Sequence, residues 1–143
     1  MLSHQLALAN ADSLDRRVEV LAQMAGTLDG HARSLALVAE VSDLESLARL
    51  FVDVLGQKGL SGKAELVPPL NRKPLLEPIA ADLMRMATAH EELAQRVPPN
   101  RTAAFRQMAQ AAREARDVIR KKLREEDVAG RSPDRGIGQG GKS

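Results

Sequence analysis

Residues 14–39 read LDRRVEVLAQMAGTLDGHARSLALVA, and the fold turns on this stretch. Leu14, Val18, Leu21, Ala25, Leu28, Ala32, Leu35 and Ala39 step through it at intervals of four and three. Those intervals return a side chain to the same side of a helix. The expectation is one long N-terminal amphipathic helix, capped by Asp12 or Ser13 and running to about Val41, whose apolar seam meets other helices. Gly26 and Gly30 fall inside it and disfavour helix, marking either a close helix contact or a local bend.

The composition supports a helical reading of the whole chain. Phe51 and Phe105 are the only aromatics among 143 residues, and Leu and Ala supply most of the apolar bulk. These favour helix over strand. The fold class expected is therefore all-α: a helical bundle with one long N-terminal amphipathic helix, a short helix and a C-terminal antiparallel helical hairpin.

The remaining elements follow from punctuation. Ser42-Asp43-Leu44-Glu45 reads as a capping box opening a short helix to about Gly56, with Leu44, Leu47, Ala48, Phe51, Val54 and Leu55 inward; the alternative is that Val41 joins this segment to the first as one continuous helix. Residues 56–73, rich in Gly and Pro, read as a connecting loop pinned by Leu60, Leu66, Val67 and Leu70. A third helix, with Pro74 in its first turn, carries Leu76, Ile79, Leu83, Met86, His90, Leu93 and Val97 on one side. Pro98-Pro99 stops it. Asn100 or Thr102 caps a fourth helix to about Asp127, with Phe105, Met108, Ala112, Ala115 and Ile119 inward. The short turn between helices three and four predicts the antiparallel hairpin. Three segments result: a weak helix or frayed end over 1–12, a single bundle domain over 13–127, and a flexible Gly-rich tail over 128–143.

Charge is segregated along the chain. Residues 1–60 hold five Lys and Arg against eight Asp and Glu, while residues 61–143 hold sixteen against eleven. Arg106, Arg113, Arg116, Arg120, Lys121 and Arg124 gather on one broad face of the fourth helix, with Lys122 beside them and Arg131, Arg135 and Lys142 beyond. Such a face suits a phosphate backbone or an acidic protein partner. Glu114, Asp117, Glu125, Glu126 and Asp127 interrupt it, as they would on an ordinary solvated helix. With two aromatics in all, stacking on single-stranded bases is not expected.

Motifs for chemistry are weak. Gly136-Ile137-Gly138-Gln139-Gly140-Gly141-Lys142-Ser143 fits the P-loop spacing, but no strand precedes it and no helix follows to hold a phosphate, so no nucleotide is expected there. Gly59-Leu60-Ser61-Gly62-Lys63 lacks the spacing altogether. His90-Glu91-Glu92-Leu93-Ala94 begins like a zinc-protease helix but places Ala94 where the second histidine belongs, and His4 and His31 have no ligand spacing either. No Ser–His–acid set stands out, and the lack of Cys removes thiolate nucleophiles, disulfides and thiolate-held metals. No cofactor, metal, catalytic residue or small-molecule substrate is expected.

The absence of Cys fits a reducing compartment, and a cytoplasmic location is expected. Leu6–Ala11 ends in an A-x-A pattern, but Met1–Ala11 has neither a basic start nor a long apolar stretch, so export is not expected. Nor is transmembrane insertion. The function these features favour is a non-enzymatic helical interaction protein: an adaptor, assembly factor or small structural subunit. It would dock through the Leu14–Ala39 seam as a homo-oligomer or within a larger complex, because one copy has few large side chains to enclose a core. A helical subunit of a nucleoprotein or DNA-maintenance complex, using the fourth-helix arginines, is the alternative. An enzyme with an unrecognised site is the remaining one.

Overall fold

The computed structural model describes residues 13–135, with side chains described to Glu125. Every regular element among them is a helix: α1 (Leu14–Ser34), α2 (Val41–Leu55), α3 (Leu60–Ala64), α4 (Pro69–Arg96) and α5 (Pro99–Arg135). The all-α bundle with a C-terminal hairpin is the observed architecture. The weak helix expected over residues 1–12 and the P-loop-like stretch 136–143 lie outside the described residues.

Ser13 starts α1, its side-chain oxygen accepting from Arg16 N at 3.1 Å. The helix stops at Ser34 rather than near Val41, with Leu35 as its C-cap. At 21 residues it is about 31 Å long, shorter than the seam suggested. A four-three rhythm marks the buried side of a helix but carries no stop signal. Here Leu37 and Val38 stand in solvent, and Arg101 at the start of α5 donates to the Ala36 carbonyl at 3.1 Å. This bond fixes the turn that sends the chain back into α2. Gly26 and Gly30 are not close contact points: a Cβ on Gly30 would meet open space, and one on Gly26 only the tip of Met86.

The capping box at Ser42 does not form. Helix α2 opens two residues earlier, with Glu40 in the cap position, because the Glu40 carbonyl already accepts from Asp43 N and Leu44 N at 3.0 and 3.1 Å. The expected loop over 56–73 contains α3 and the first turn of α4. Gly56, Gly59 and Gly62 let the backbone turn back on α2 at close range, and the buried Ser61 hydroxyl donates to the Leu55 carbonyl.

Helix α4 starts at Pro69, five residues before the expected Pro74. Pro68 is extended (φ −61°, ψ 149°), as a residue before proline must be, and Pro69 takes the first helical position. Pro74 and Pro78 then lie inside the helix on its solvent side, where water can serve the carbonyls they leave free. Between α4 and α5 only Val97 and Pro98 intervene. Thr102, expected as a cap, instead donates its hydroxyl back to the Ala94 carbonyl at 3.1 Å, clamping the hairpin turn. Helix α5 continues past Asp127 to Arg135, so the first eight residues of the expected tail are helical.

The hairpin forms the largest interface between helices. Ala87 and Ala94 of α4 and Ala104, Ala112 and Ala115 of α5 are all buried, and these small side chains let the axes come close. Helices α1 and α2 lie over the hairpin, with Leu28, Leu44, Phe51, Leu76, Phe105 and Ile119 fully buried between the layers. Val18, Leu21, Ala25, Leu28 and Ala32 of the N-terminal seam are consumed in this one core. The core closes within a single chain, so the seam needs no second copy to cover it. None of the described helices is long and apolar enough to cross a membrane.

Two glycine substitutions test these packing statements. A Cβ at position 62 would overlap the Gln57 carbonyl oxygen. Gly62→Ala should therefore lower stability by about 1–3 kcal/mol, read as a lower Tm by circular dichroism. Gly30→Ala should raise stability by about 0.5–1 kcal/mol, since the new methyl meets nothing and the helix gains propensity.

Candidate functional site

Two arrangements bring polar chemistry together. The first is inside the bundle. His90 of α4 is fully buried, its ring 5.8 Å from Phe51 of α2 in an edge contact and 5.7 Å from Phe105 of α5 in a stacked one. Its Nε2 lies 2.7 Å from Oδ1 of Asp29 on α1. The approach is close, but neither atom completes a well-aligned hydrogen bond, and Nδ1 has no hydrogen-bond partner among the described residues. Asp29 is itself buried, and its other oxygen accepts from Arg33 one turn later at 2.7 Å.

Burial alone pushes the Asp29 carboxyl up, but the contact and charge of His90 and the Arg33 guanidinium outweigh it, and its pKa lies below the ordinary carboxylate value. Rings on two sides and the carboxylate on a third leave no space for a substrate at the imidazole. A histidine and a carboxylate could exchange a proton, but a general base must also reach the group it serves. The arrangement ties helices together.

The second arrangement is on the outside of the hairpin. Because α4 and α5 run antiparallel, the stripe Glu77, Ala80, Ala81 and Met84 faces the stripe Arg116, Arg120, Leu123 and Arg124 across a groove of about 600 Å3. The alanines leave the groove open and, with Met84 and Leu123, make its floor apolar. Three guanidiniums stand along one wall, and Glu77 is the one carboxylate among the lining residues.

The fourth-helix cations are thus divided by the structure. Arg116, Arg120 and Arg124 share the groove, and Arg116 approaches Asp117 at 4.0 Å. Arg113 is bound to Glu91 across the hairpin and also contacts Gln110 at 3.4 Å. Arg106 lies beside that pair, in a separate cavity with Gln95 and Ala109. Lys121 is exposed outside the groove, and Lys122 pairs with Glu125 at 3.1 Å. The backbones of Arg131 and Arg135 continue α5.

Elsewhere, Leu14 and Ala39 of the seam are half-buried at its ends, and Leu35 is partly exposed beyond the end of α1. His31 is exposed. No cluster of three metal-ligating side chains occurs among the described residues.

Sequence reasoning missed Asp29 and the α4 side of the groove. Asp29 had one local signal, a carboxylate beside Leu28 on the buried stripe with Arg33 four residues on. Its partner is sixty-one positions away and leaves no local trace. Glu77, Ala80, Ala81 and Met84 gain meaning only when the register of the hairpin sets them opposite the arginines.

The buried pair gives two measurable outcomes. Asp29→Ala should cost about 1–3 kcal/mol in urea unfolding, because it removes the carboxylate lying against Nε2 of His90 and bound by Arg33, and should cost clearly less in a His90→Leu background. Since Asp29 has a depressed pKa in the folded protein, its stabilisation is complete above the unfolded carboxylate value of about 3.9 and is lost as pH falls through the folded value. The stability gap between the wild type and Asp29→Asn should accordingly be widest near neutral pH and shrink below about pH 4. Compared with known proteins, the chain matches no family model, no curated protein and no solved structure.

Proposed function

We propose that this chain is a non-enzymatic helical interaction protein that engages an anionic protein partner through the α5 arginines. The observation that carries this reading is the groove itself: Arg116, Arg120 and Arg124 rise from a wall whose floor is Ala80, Ala81, Met84 and Leu123. An apolar floor beside a cationic wall suits a protein surface that brings both apolar side chains and carboxylates. A phosphate backbone would use the arginines and leave the floor uncovered. Met84, a large apolar side chain, is left 46 % exposed by the described residues.

This reading moves the working surface away from the N-terminal seam. The seam is buried by α2, α3 and α4, whereas the groove is open. It also sets aside part of the basic face: Arg113 is already engaged by Glu91 within the hairpin and Lys122 by Glu125.

The test uses gently purified full-length protein and size-exclusion chromatography with light scattering and absorbance at 260 nm. The chain has no Trp or Tyr, so its own ultraviolet signal is very weak. A protein partner should co-elute with the wild type and be lost, by about tenfold or more in affinity, from Arg120→Glu/Arg124→Glu, with the helical circular dichroism unchanged. A strong 260 nm peak that disappears as salt rises would give the nucleic-acid reading instead.

A further inference from the structure

We infer that the occupant of the arginine-walled groove is an acidic amphipathic α-helix of a partner protein. The inference rests on the interaction reading above and names the form its partner takes.

The groove is a straight trough between two antiparallel helices. On α5 the arginines occur at intervals of four, so each stands about 6 Å along the axis from the last and the three span about 12 Å. On α4, Glu77, Ala80 or Ala81, and Met84 follow the same kind of stripe. A third helix laid along such a trough sets a ridge of apolar side chains between the two walls, the ordinary way helices pack. Ala80 and Ala81 are what make the approach close, since a Leu at either position would fill the space. Carboxylates at intervals of three or four on that helix would then rise by about 4.5–6 Å each, in step with the guanidiniums.

An extended peptide fits less well for a reason of backbone chemistry. Its N–H and C=O groups need partners, and peptides that bind extended obtain them from an exposed sheet edge. The described part of this protein has no sheet, and the alanine floor offers no donor or acceptor. A helix arrives with its backbone already satisfied. Charge sets the sign of the partner: the lining residues carry three cations against the single carboxylate of Glu77. A basic helix would face like charge along a whole wall, and a purely apolar one would leave the arginines desolvated without a counter-ion.

The experiment measures binding of fluorescent peptides to the full chain by anisotropy. One peptide of about 18 residues, long enough to hold a helix, places Leu at i, i+3, i+4 and i+7 with Glu on both flanks; a second has the same composition scrambled to remove the face. The ordered peptide should bind at least about tenfold tighter than the scrambled one and gain helical circular dichroism on binding. Arg120→Glu should weaken it about tenfold, and Ala81→Gln, which puts a polar side chain on the floor without changing charge, should weaken it several-fold. Ala81 is exposed, so this variant folds.

Equal binding of both peptides with dependence on Arg120 overturns the helical occupant and leaves the interaction reading standing. Absence of binding by the ordered peptide at about 0.1 mM also overturns the helical occupant. A short DNA duplex that binds more tightly than either peptide, and loses affinity in Arg120→Glu, overturns both.

Discussion

Four helices meet at one imidazole. His90 comes from α4, the rings on either side of it from α2 and α5, and the carboxylate against its Nε2 from α1. Apolar packing is non-directional and would tolerate several sliding or rotated arrangements of Leu- and Ala-rich helices. A buried polar group does not, because it loses much of its solvation free energy unless one particular atom is near it. Asp29 and His90 thus specify which arrangement of the seams is adopted. The orphaned Nδ1 shows that this specificity was reached at some cost in stability.

Alanine has the second organising role. In the hairpin it is buried and draws α4 and α5 together; at the buried Ala80 and the exposed Ala81 its small size leaves a trough on the outer side. The same small side chain therefore makes a close contact where a helix covers it and a vacancy where none does. The arginines gain their significance from that vacancy. On a filled hairpin they would be separate surface charges, each screened by water and salt.

Much of the fold could be read from residues 14–39, the Pro pairs and the apolar spacing of the later helices, because those patterns express which side of a helix is buried. The limits lay where the answer depended on contact between distant segments. Nothing near Leu35 announces the end of α1, since the bond that fixes the turn comes from Arg101. Ser42 and Glu45 have the spacing of a capping box, yet the helix is already under way at Val41, with the Glu40 carbonyl accepting from Asp43 N and Leu44 N. The basic face of α5 was visible as a set of arginines, but only Glu91 and the α4 stripe separate those turned inward from those lining the groove. Local pattern gives composition of a face; register between helices gives its chemistry.

The connectivity also orders the assembly of the molecule in time. The largest interface joins α4 to α5, neighbours in sequence separated by a two-residue turn, so its loop-closure entropy is small and it can form early. The ties to the N-terminal part, Asp29 to His90 and Arg101 to Ala36, span more than sixty residues and form only when the whole intervening chain has been gathered. The hairpin is therefore the template and α1 the closing piece. Helix α1 closes the last side of His90, and the contact that shuts it in is also one of those with the longest loop to close.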